Sequence, residues 1–140
     1  MAEFSCNGLD DLMLSLQEIE SIPDDVKDEI LNAEADVLVP EIRDRGKGYG
    51  IPDGKMLQSI KKGKVRTSKK GNKAIPVYAA GSRTRGKKRI KNSEIAFLNN
   101  YGTRHQQARP FWSDTEELSA KTMTAAGERI VNKWLLSKDL

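Results

Sequence analysis

The chain has 140 residues, of which 37% are hydrophobic and 6% aromatic, with one cysteine and one histidine. This length suits a single domain over residues 1–140 with a substantial core. Apolar runs are far shorter than the roughly 20 residues of a membrane span, and the acidic N-terminus lacks the basic cluster of a signal peptide. Cys6 alone forms no internal disulfide, and a single histidine gives no metal-ligand set. We therefore expect an intracellular, metal-free protein.

The net charge of +4 conceals three blocks of different character. Residues 1–54 contain 14 acidic and 4 basic residues, residues 55–91 contain 14 basic and no acidic residues, and residues 92–140 contain 6 of each. The middle block is called the basic segment below. Its field attracts polyanions, whereas opposite blocks on one chain also suit head-to-tail contacts between copies that are weakened by salt.

The acidic block reads as two amphipathic helices. Apolar residues of the first recur at steps of three and four, and Asn7 or Asp10 could cap it. The stripe of this first helix comprises Leu9, Leu12, Met13, Leu16 and Ile19. The second helix has Ser21 as its expected cap and Pro23 in its first turn, followed by two aspartates.

A second stripe defines that second helix, and it comprises Val26, Ile30, Ala33 and Val37. Pro40 lies inside the pattern, where it removes a helical hydrogen bond and its ring crowds the preceding turn. The sequence therefore predicts a kink or a helix end near Val37, with continuation to Arg45 as the alternative. Four glycines and one proline make 45–54 a loop.

The basic segment begins with a short helix and continues with strands. Asp53 is placed to cap a helix over 54–60 whose buried residues should be Met56, Leu57 and Ile60. Two strand-like stretches, 64–68 and 73–81, flank "KKGN", which is typical of a tight turn. Pro76 should limit the second strand to a sheet edge or a bulge. Residues 81–93 are basic and glycine-punctuated, which indicates a flexible loop or a hairpin tip.

Two more helices complete the predicted elements. The first covers 93–102, with Ser93 as cap and Gly102 as stop. The second is a long helix over 111–136 with an apolar stripe. That stripe comprises Leu118, Thr122, Ala125, Ala126, Ile130 and Trp134. The predicted fold is α+β, a small antiparallel sheet (a β-hairpin plus one or more further strands) packed against the N-terminal helices and the long C-terminal helix.

No set of residues in the sequence resembles a catalytic site. His105 has a side chain suited to acid–base work, but its neighbours supply neither a nucleophile nor an orienting carboxylate, so an exposed loop position is expected. The carboxylates of the first block fall on polar helix faces, and "GKGYG" at 46–50 lacks the spacing of a phosphate-binding loop. We predict no catalytic, cofactor-binding or metal-binding residue and no enzyme activity.

The basic segment favours a binding role. Phosphate neutralisation by such residues is independent of sequence and sensitive to salt. Tyr78 is the only aromatic residue of the segment, which argues against base stacking, and no helix here has the pattern of a major-groove reader. One functional hypothesis is therefore a small non-specific nucleic-acid-binding protein that uses residues 55–91.

Two short motifs carry a family resemblance. "SEIAFLNNYGT" at 93–103 followed by "ARPFW" at 108–112 resembles the signature of the phage tail-completion proteins, which are the head–tail joining, neck or minor tail proteins of long-tailed phages. "DGKMLQSI" at 53–60 is similar to the segment that precedes the first strand of that family. The chain departs from the pattern at 81–93, which is longer, and at Asn99-Asn100, where the family usually has an acid.

The resemblance implies a structural virion protein and not an enzyme. It implies a homo-oligomeric ring, with six copies as one option, at the head–tail junction or the tail top. Expected partners are further copies, adjoining neck, connector or tail proteins, and double-stranded DNA passing along the axis, without a membrane. The expected location is the virion, with assembly in the host cytoplasm.

Two groups of residues are the candidate functional positions. Five bases of 81–93 are predicted to contact a partner or DNA: Arg83, Arg85, Lys87, Lys88 and Arg89. A structural elbow between the last two helices is predicted from seven residues: Tyr101, Gly102, Thr103, Arg109, Pro110, Phe111 and Trp112. In the elbow, Pro110 should preset the last helix, its two aromatic neighbours should anchor it, and Arg109 should pair with an acid across the elbow or at a subunit interface.

Overall fold

A computed structural model describes residues 2–7, 11–16 and 22–137 of the chain. The seven strands in these ranges are β1 (Ala2–Asn7), β2 (Asp11–Leu16), β3 (Ile60–Lys62), β4 (Arg66–Thr67), β5 (Lys73–Ala79), β6 (Ser82–Arg85) and β7 (Lys88–Lys91). The five helices are α1 (Asp24–Gly48), α2 (Gly54–Ser59), α3 (Asn92–Tyr101), α4 (Phe111–Leu118) and α5 (Ala120–Ser137). Helices and an antiparallel sheet confirm the predicted α+β class.

The sheet has the order β1-β2-β5-β3, with β4 also paired to β5, and β6 pairs only with β7. Helix α1 packs against β2, β3 and β5, while α5 packs mainly on α1. The molecule therefore has layers: the sheet, then α1, then α4 and α5. The core between them includes the fully buried side chains of Ile30, Leu38, Leu57, Ile75 and Phe111.

The prediction of a helix over the first apolar stripe is wrong for residues 11–16, which form a strand. The same residues also alternate with period two, through Leu12, Leu14 and Leu16, and this alternation fits a strand. In the observed register Leu12 pairs with Val77 and Leu14 with Ile75. Residues 11–16 fit both a helical and a strand periodicity, and their pairing with β5 favours the strand. Leu9, Ile19 and the proposed caps Asp10 and Ser21 lie outside the described residues.

Helix α1 runs through Pro40 to Gly48, so the predicted helix end near Val37 is wrong and the predicted continuation is correct. Pro40 is exposed, whereas Leu38 and Ile42 on either side of it are fully buried. Burying two such side chains contributes roughly 3–6 kcal/mol, which is enough to offset the approximately 3 kcal/mol that an internal proline costs. Only the middle of the predicted 45–54 loop therefore remains irregular.

The strand pair joined by "KKGN" is confirmed. Arg66 pairs with Ala74 and Thr67 with Lys73, and the Ser68 amide donates to the Asn72 carbonyl over 2.8 Å. Strand β5 is nevertheless central and not an edge strand, so that alternative for Pro76 is wrong. The bulge alternative is correct, since three residues, 63–65, face only two of β5 between the paired stretches.

Gly63 explains how a central strand accepts Pro76. Its amide donates to the Pro76 carbonyl over 2.8 Å. A Cβ added at Gly63 would lie 2.7 Å from Cγ of Pro76, so the two residues are in close contact. The bulge thus packs a residue without a side chain against the proline ring.

The C-terminal helix is interrupted at Ser119, so the prediction of one continuous helix is wrong there. The Ser119 hydroxyl hydrogen-bonds to Oε2 of Glu41 on α1, which draws the turn toward α1. The predicted stripe is wrong at Leu118, which is 64% exposed, and at the exposed Thr122, whereas its members Ile130 and Trp134 pack against the core. The buried positions are Phe111, Thr115, Ser119, Met123 and Gly127.

Candidate functional site

The elbow between α3 and α4 begins at Gly102, which has a φ of 78° and ends α3. Its amide donates to the Leu98 carbonyl over 2.8 Å. A Cβ at Gly102 would lie 2.7 Å from the Ala108 amide nitrogen, so both the left-handed conformation and the space require glycine. Lys91, not the predicted Ser93, occupies the N-cap position of α3, and it makes no side-chain cap bond. The cap therefore lies two residues earlier than predicted, and β7 leads directly into the helix.

Asn100 connects the two helices of the elbow. Its Oδ1 accepts hydrogen bonds from the amides of Trp112 and Ser113, both over 3.1 Å, and its Nδ2 donates to the Ser113 hydroxyl over 2.8 Å. The residue is 5% exposed. Since the first amides of a helix lack partners within the helix, the Asn100 side chain supplies from another helix the hydrogen bonds that the N-cap residue of α4 does not make.

Asn99 holds the linker of the elbow. Its Nδ2 donates to the Ile95 carbonyl over 2.9 Å, and its Oδ1 accepts from Nε2 of Gln106 over 3.0 Å. Its backbone carbonyl accepts from the Arg109 amide over 2.8 Å. The sequence prediction missed both asparagines as elbow residues. The sequence did contain a signal for this role. Asn99 and Asn100 are two uncharged amide residues at the end of an apolar helix, where a solvated charged residue would be expected.

The predicted elbow residues lie where the chain turns and enters α4. Phe111 is fully buried, and its ring centroid lies 6.0 Å from that of the half-buried Trp112. Pro110 is the N-cap residue, directly before the first helical position. Thr103 pairs with Gln106 as an isolated bridge. Arg109 is half-buried, and within the described ranges its guanidinium makes no ion pair.

Tyr101 and Leu98 face outward from the same side of α3. They are 57% and 44% exposed, and the Tyr101 ring centroid lies 4.7 Å from that of Phe97. Residues three apart on a helix are neighbours, so these two side chains form one apolar surface, called the α3 stripe below.

His105 is exposed in the linker, with its backbone amide bonded to the Thr103 hydroxyl over 3.2 Å.

Residues 82–91 form a two-stranded hairpin, β6–β7, with Gly86 at its tip in a left-handed conformation. Of the two predicted alternatives for 81–93, a flexible loop and a hairpin tip, the structure has a hairpin. Its base is fixed to the body of the protein by Arg83, which forms an ion pair with Asp53. The Asn92 amide also donates to the Gly81 carbonyl over 3.0 Å.

Asp53 has two roles at once. Its Oδ1 accepts from the Met56 amide over 3.0 Å and caps α2, as the sequence predicts, while Oδ2 binds Arg83. Met56 and Leu57 of α2 are buried as predicted, so the capped helix is itself fixed in the core. The hairpin is therefore held in a definite direction. This makes Arg83 a structural contact within the chain.

The other four predicted bases at the tip are exposed: Arg85, Lys87, Lys88 and Arg89. Arg85 and Lys88 are directly opposite each other in the strand register. Arg89 donates through Nε to the Ser82 hydroxyl over 2.7 Å. Like charges facing each other across a strand pair are unfavourable, so the hairpin tip is a site of unrelieved positive charge.

Three bases of the basic segment form ion pairs with acids of residues 1–54 in the same chain. Lys62 binds Asp36 over 2.8 Å, Lys73 binds Asp28 over 2.7 Å, and Arg83 binds Asp53. The remaining eleven bases of the basic segment are all exposed and make no ion pair with the described residues. They are Lys55, Lys61, Lys64, Arg66, Lys69, Lys70, Arg85, Lys87, Lys88, Arg89 and Lys91.

No family model, no curated protein and no solved structure matches this chain. The interpretation of the site therefore depends on its geometry and on the motif residues themselves.

Two carboxyl groups have perturbed acidity. Burial raises the pKa of Glu34 to about 7, and burial also raises the pKa of Glu116. Glu34 lies on α1 against Gly127 of α5, where it is 3% exposed and its Oε2 has no hydrogen-bond partner.

In the described part of the chain, no group of three or more potential ligands could hold a metal ion. None of its helices combines the length and hydropathy that crossing a bilayer requires.

Proposed function

We propose that this protein is a structural assembly component of a tailed phage or prophage. In this proposal it forms a homo-oligomeric ring at the head–tail junction or tail top and completes the neck or tail by binding adjoining components. It works without catalysis. It acts in the virion after assembly in the host cytoplasm.

The observation that carries the proposal is the elbow. The motif residues of the resemblance, Tyr101-Gly102-Thr103 and the stretch 108–111, coincide with the stop of α3 and the start of α4. Asn100 joins these two ends through three hydrogen bonds. A short motif that fixes two helices against each other supports a role in rigid assembly, because subunits of a ring must present their contact surfaces at fixed angles.

The α3 stripe supplies a surface for such a contact. Tyr101 and Leu98 are large apolar side chains held on a helix that the elbow fixes, and tyrosine is enriched in protein interfaces. Three acids of the first block, Asp28, Asp36 and Asp53, already bind bases of the same chain. We therefore assign the contact between copies first to the α3 stripe, and give pairing between charge blocks a secondary part.

Sedimentation velocity over a wide range of concentration tests this proposal. The wild-type protein should populate an oligomer as concentration rises, and the double variant Leu98→Ser with Tyr101→Ser should shift that transition to higher concentration. The matched control, Leu135→Ser with Leu136→Ser, removes two exposed leucines at the end of α5 and should leave the transition in place.

A wild-type protein that stays monomeric at low salt and at the highest attainable concentration would refute assembly by contacts between copies. Equal effects of the two double variants would instead refute the assignment of the contact to the α3 stripe. Circular dichroism melts of each variant separate these outcomes from loss of folding.

A further inference from the structure

The surplus of positive charge on the basic segment defines a second surface. Eleven of its fourteen bases are exposed and make no ion pair with the described residues, and the segment contains no acid. We propose that this surface binds the phosphate backbone of double-stranded DNA independently of base sequence. The inference does not depend on ring assembly, since a single copy carries the whole surface.

Most of the exposed bases are distributed over the turn before β5, the strands beside β5 and the hairpin β6–β7. They include both lysines at 69–70 in the turn, Arg66 and Lys61 on the strands beside β5, and the bases of the hairpin. Lys61 lies opposite Tyr78 and Arg66 opposite Ala74, two residues four positions apart on β5, so both bases lie on the same face of the sheet.

The hairpin tip is the part of this surface where unpaired positive charges are most concentrated along the chain, so an anion should bind most favourably there. Arg85 faces Lys88 across the strands, and Lys87 lies in the turn between them. Opposed like charges destabilise a strand pair, and a phosphate placed between them would convert that repulsion into attraction. The ion pair of Arg83 with Asp53 holds the base of the hairpin, so the tip is presented in a fixed direction.

The composition of the surface favours nucleic acid over the acidic face of a second copy. Eight of the eleven exposed bases are lysines, a residue type depleted in protein–protein interfaces and common in phosphate contacts. Apolar side chains that could form an interface core are scarce among them. Three acids of the first block are occupied within the subunit, which reduces the charge that a second copy could offer.

Duplex binding is favoured over single-strand binding by the lack of a stacking platform. Tyr78 is the one aromatic residue of the segment. Its ring is half-buried and lies 5.9 Å from Nζ of Lys61. Single-strand binders commonly stack successive bases on several exposed aromatic rings, whereas duplex binding by phosphate contacts requires none.

Fluorescence anisotropy with two duplexes of unrelated sequence and a single strand of equal length tests the inference. The test variant replaces Arg85, Lys87, Lys88 and Arg89 with Ser and keeps Arg83. The matched control replaces four exposed bases elsewhere with Ser, so that net charge changes equally. The control positions are Arg104, Lys121, Arg129 and Lys133.

The wild type should bind both duplexes equally well and more tightly than the single strand. Affinity should fall linearly on a log–log plot against salt. Since each phosphate contact contributes about 0.9 to that slope, the tip variant should have a slope shallower by roughly 3–4 and should lose at least about tenfold in affinity at low salt. The control should retain most of the affinity and the wild-type slope.

Absence of duplex binding at low salt would overturn the inference, as would equal losses in the tip variant and the control. Tighter binding of the single strand would also overturn it. A tip variant that binds duplex normally but no longer self-associates would show that the hairpin binds a second copy instead. The Leu98→Ser, Tyr101→Ser variant should bind duplex as the wild type does, which separates this test from that of ring assembly.

Discussion

Asn100 has more influence on the architecture than its size suggests. It lies on α3, and its side-chain amide provides hydrogen-bond partners for the first backbone amides of α4. Its Oδ1 accepts two amides of α4, and its Nδ2 binds Ser113. An acid usually takes this place in the family that the chain resembles. Either residue type offers an acceptor to a helix N-terminus, where negative charge is also favourable.

Replacing Asn100 tests this role. Asn100→Ala should lower the free energy of unfolding by about 1–2 kcal/mol, because two half-buried amides lose their acceptor. Asn100→Asp keeps the acceptor and should change stability by less than about 0.5 kcal/mol. Urea unfolding at neutral pH measures both. A neutral Asn100→Ala, or an aspartate variant as unstable as the alanine variant, would contradict the capping role.

Glu34 predicts a dependence of stability on pH. Its pKa of about 7 in the folded protein exceeds the ordinary value of 4.5, so between these values the folded state binds the proton more tightly than the unfolded chain. Stability should therefore fall as pH rises from 4.5 to about 7, by up to about 3 kcal/mol, and this component should then level off.

Glu34→Gln should remove this part of the pH profile and leave the protein more stable than wild type above pH 7. The exposed Glu29, on the same helix, provides the control Glu29→Gln, which should keep the wild-type profile. Denaturant unfolding across the pH range measures all three proteins. An unchanged slope in Glu34→Gln would show that the carboxyl is not protonated in the folded state.

Residue-scale features were predictable where they depend on near neighbours in sequence. The cap at Asp53 and the burial of Met56 and Leu57 follow from the spacing of one short helix. The stop at Gly102 follows from its position after an apolar helix. The bonds of Asn100 connect it to residues 12 and 13 positions away, and the ion pair of Arg83 reaches back 30 positions. Such partners are chosen by tertiary packing, which spacing alone does not give.

At the scale of elements, the contact between α1 and α5 organises the helical side of the molecule. It depends on close approach at Gly127, where an added Cβ would lie 2.6 Å from Oε1 of Glu34 and 3.3 Å from Cγ2 of Ile30. Both neighbours are buried. The missing side chain therefore sets how closely the two helices pack.

Gly127→Ala should destabilise the protein by about 1–3 kcal/mol, since the overpacked helices must separate or the carboxyl must move. Gly48→Ala is the matched control. Gly48 ends α1, is exposed and has no neighbour within 4 Å of an added Cβ, so its replacement should be neutral or stabilising by up to about 1 kcal/mol. Thermal melts compare the two, and equal stability of both variants would contradict the close-packing account.

The elements predicted correctly are those whose evidence is local. The pair β4–β5 is joined by a turn with its own residue signature, and α2 carries its own cap. Strand β2 was missed because an apolar stretch such as 11–16 satisfies both helical and strand periods, and because β5, one of its two partners, lies about sixty residues away. The break at Ser119 depends on Glu41 of α1, which the sequence of α4 and α5 does not reveal.

At the scale of the whole molecule, only part of the charge of the basic segment is neutralised within the described part of the chain. Bases that face α1 or α2 bind acids there, and the other bases of the basic segment are exposed. The three charge blocks were visible in the sequence, but their internal pairing was not. That pairing is why we assign the proposed contact between copies to the α3 stripe and the proposed binding of DNA to the exposed bases.

Electron microscopy of the purified protein at low salt and high concentration, with classification by rotational symmetry, tests the central claim of ring assembly most directly. We predict closed rings of identical copies, which are lost in the Leu98→Ser, Tyr101→Ser variant and retained in the Leu135→Ser, Leu136→Ser control. Fields that contain only monomers, or open filaments without closed particles, would contradict the proposed function.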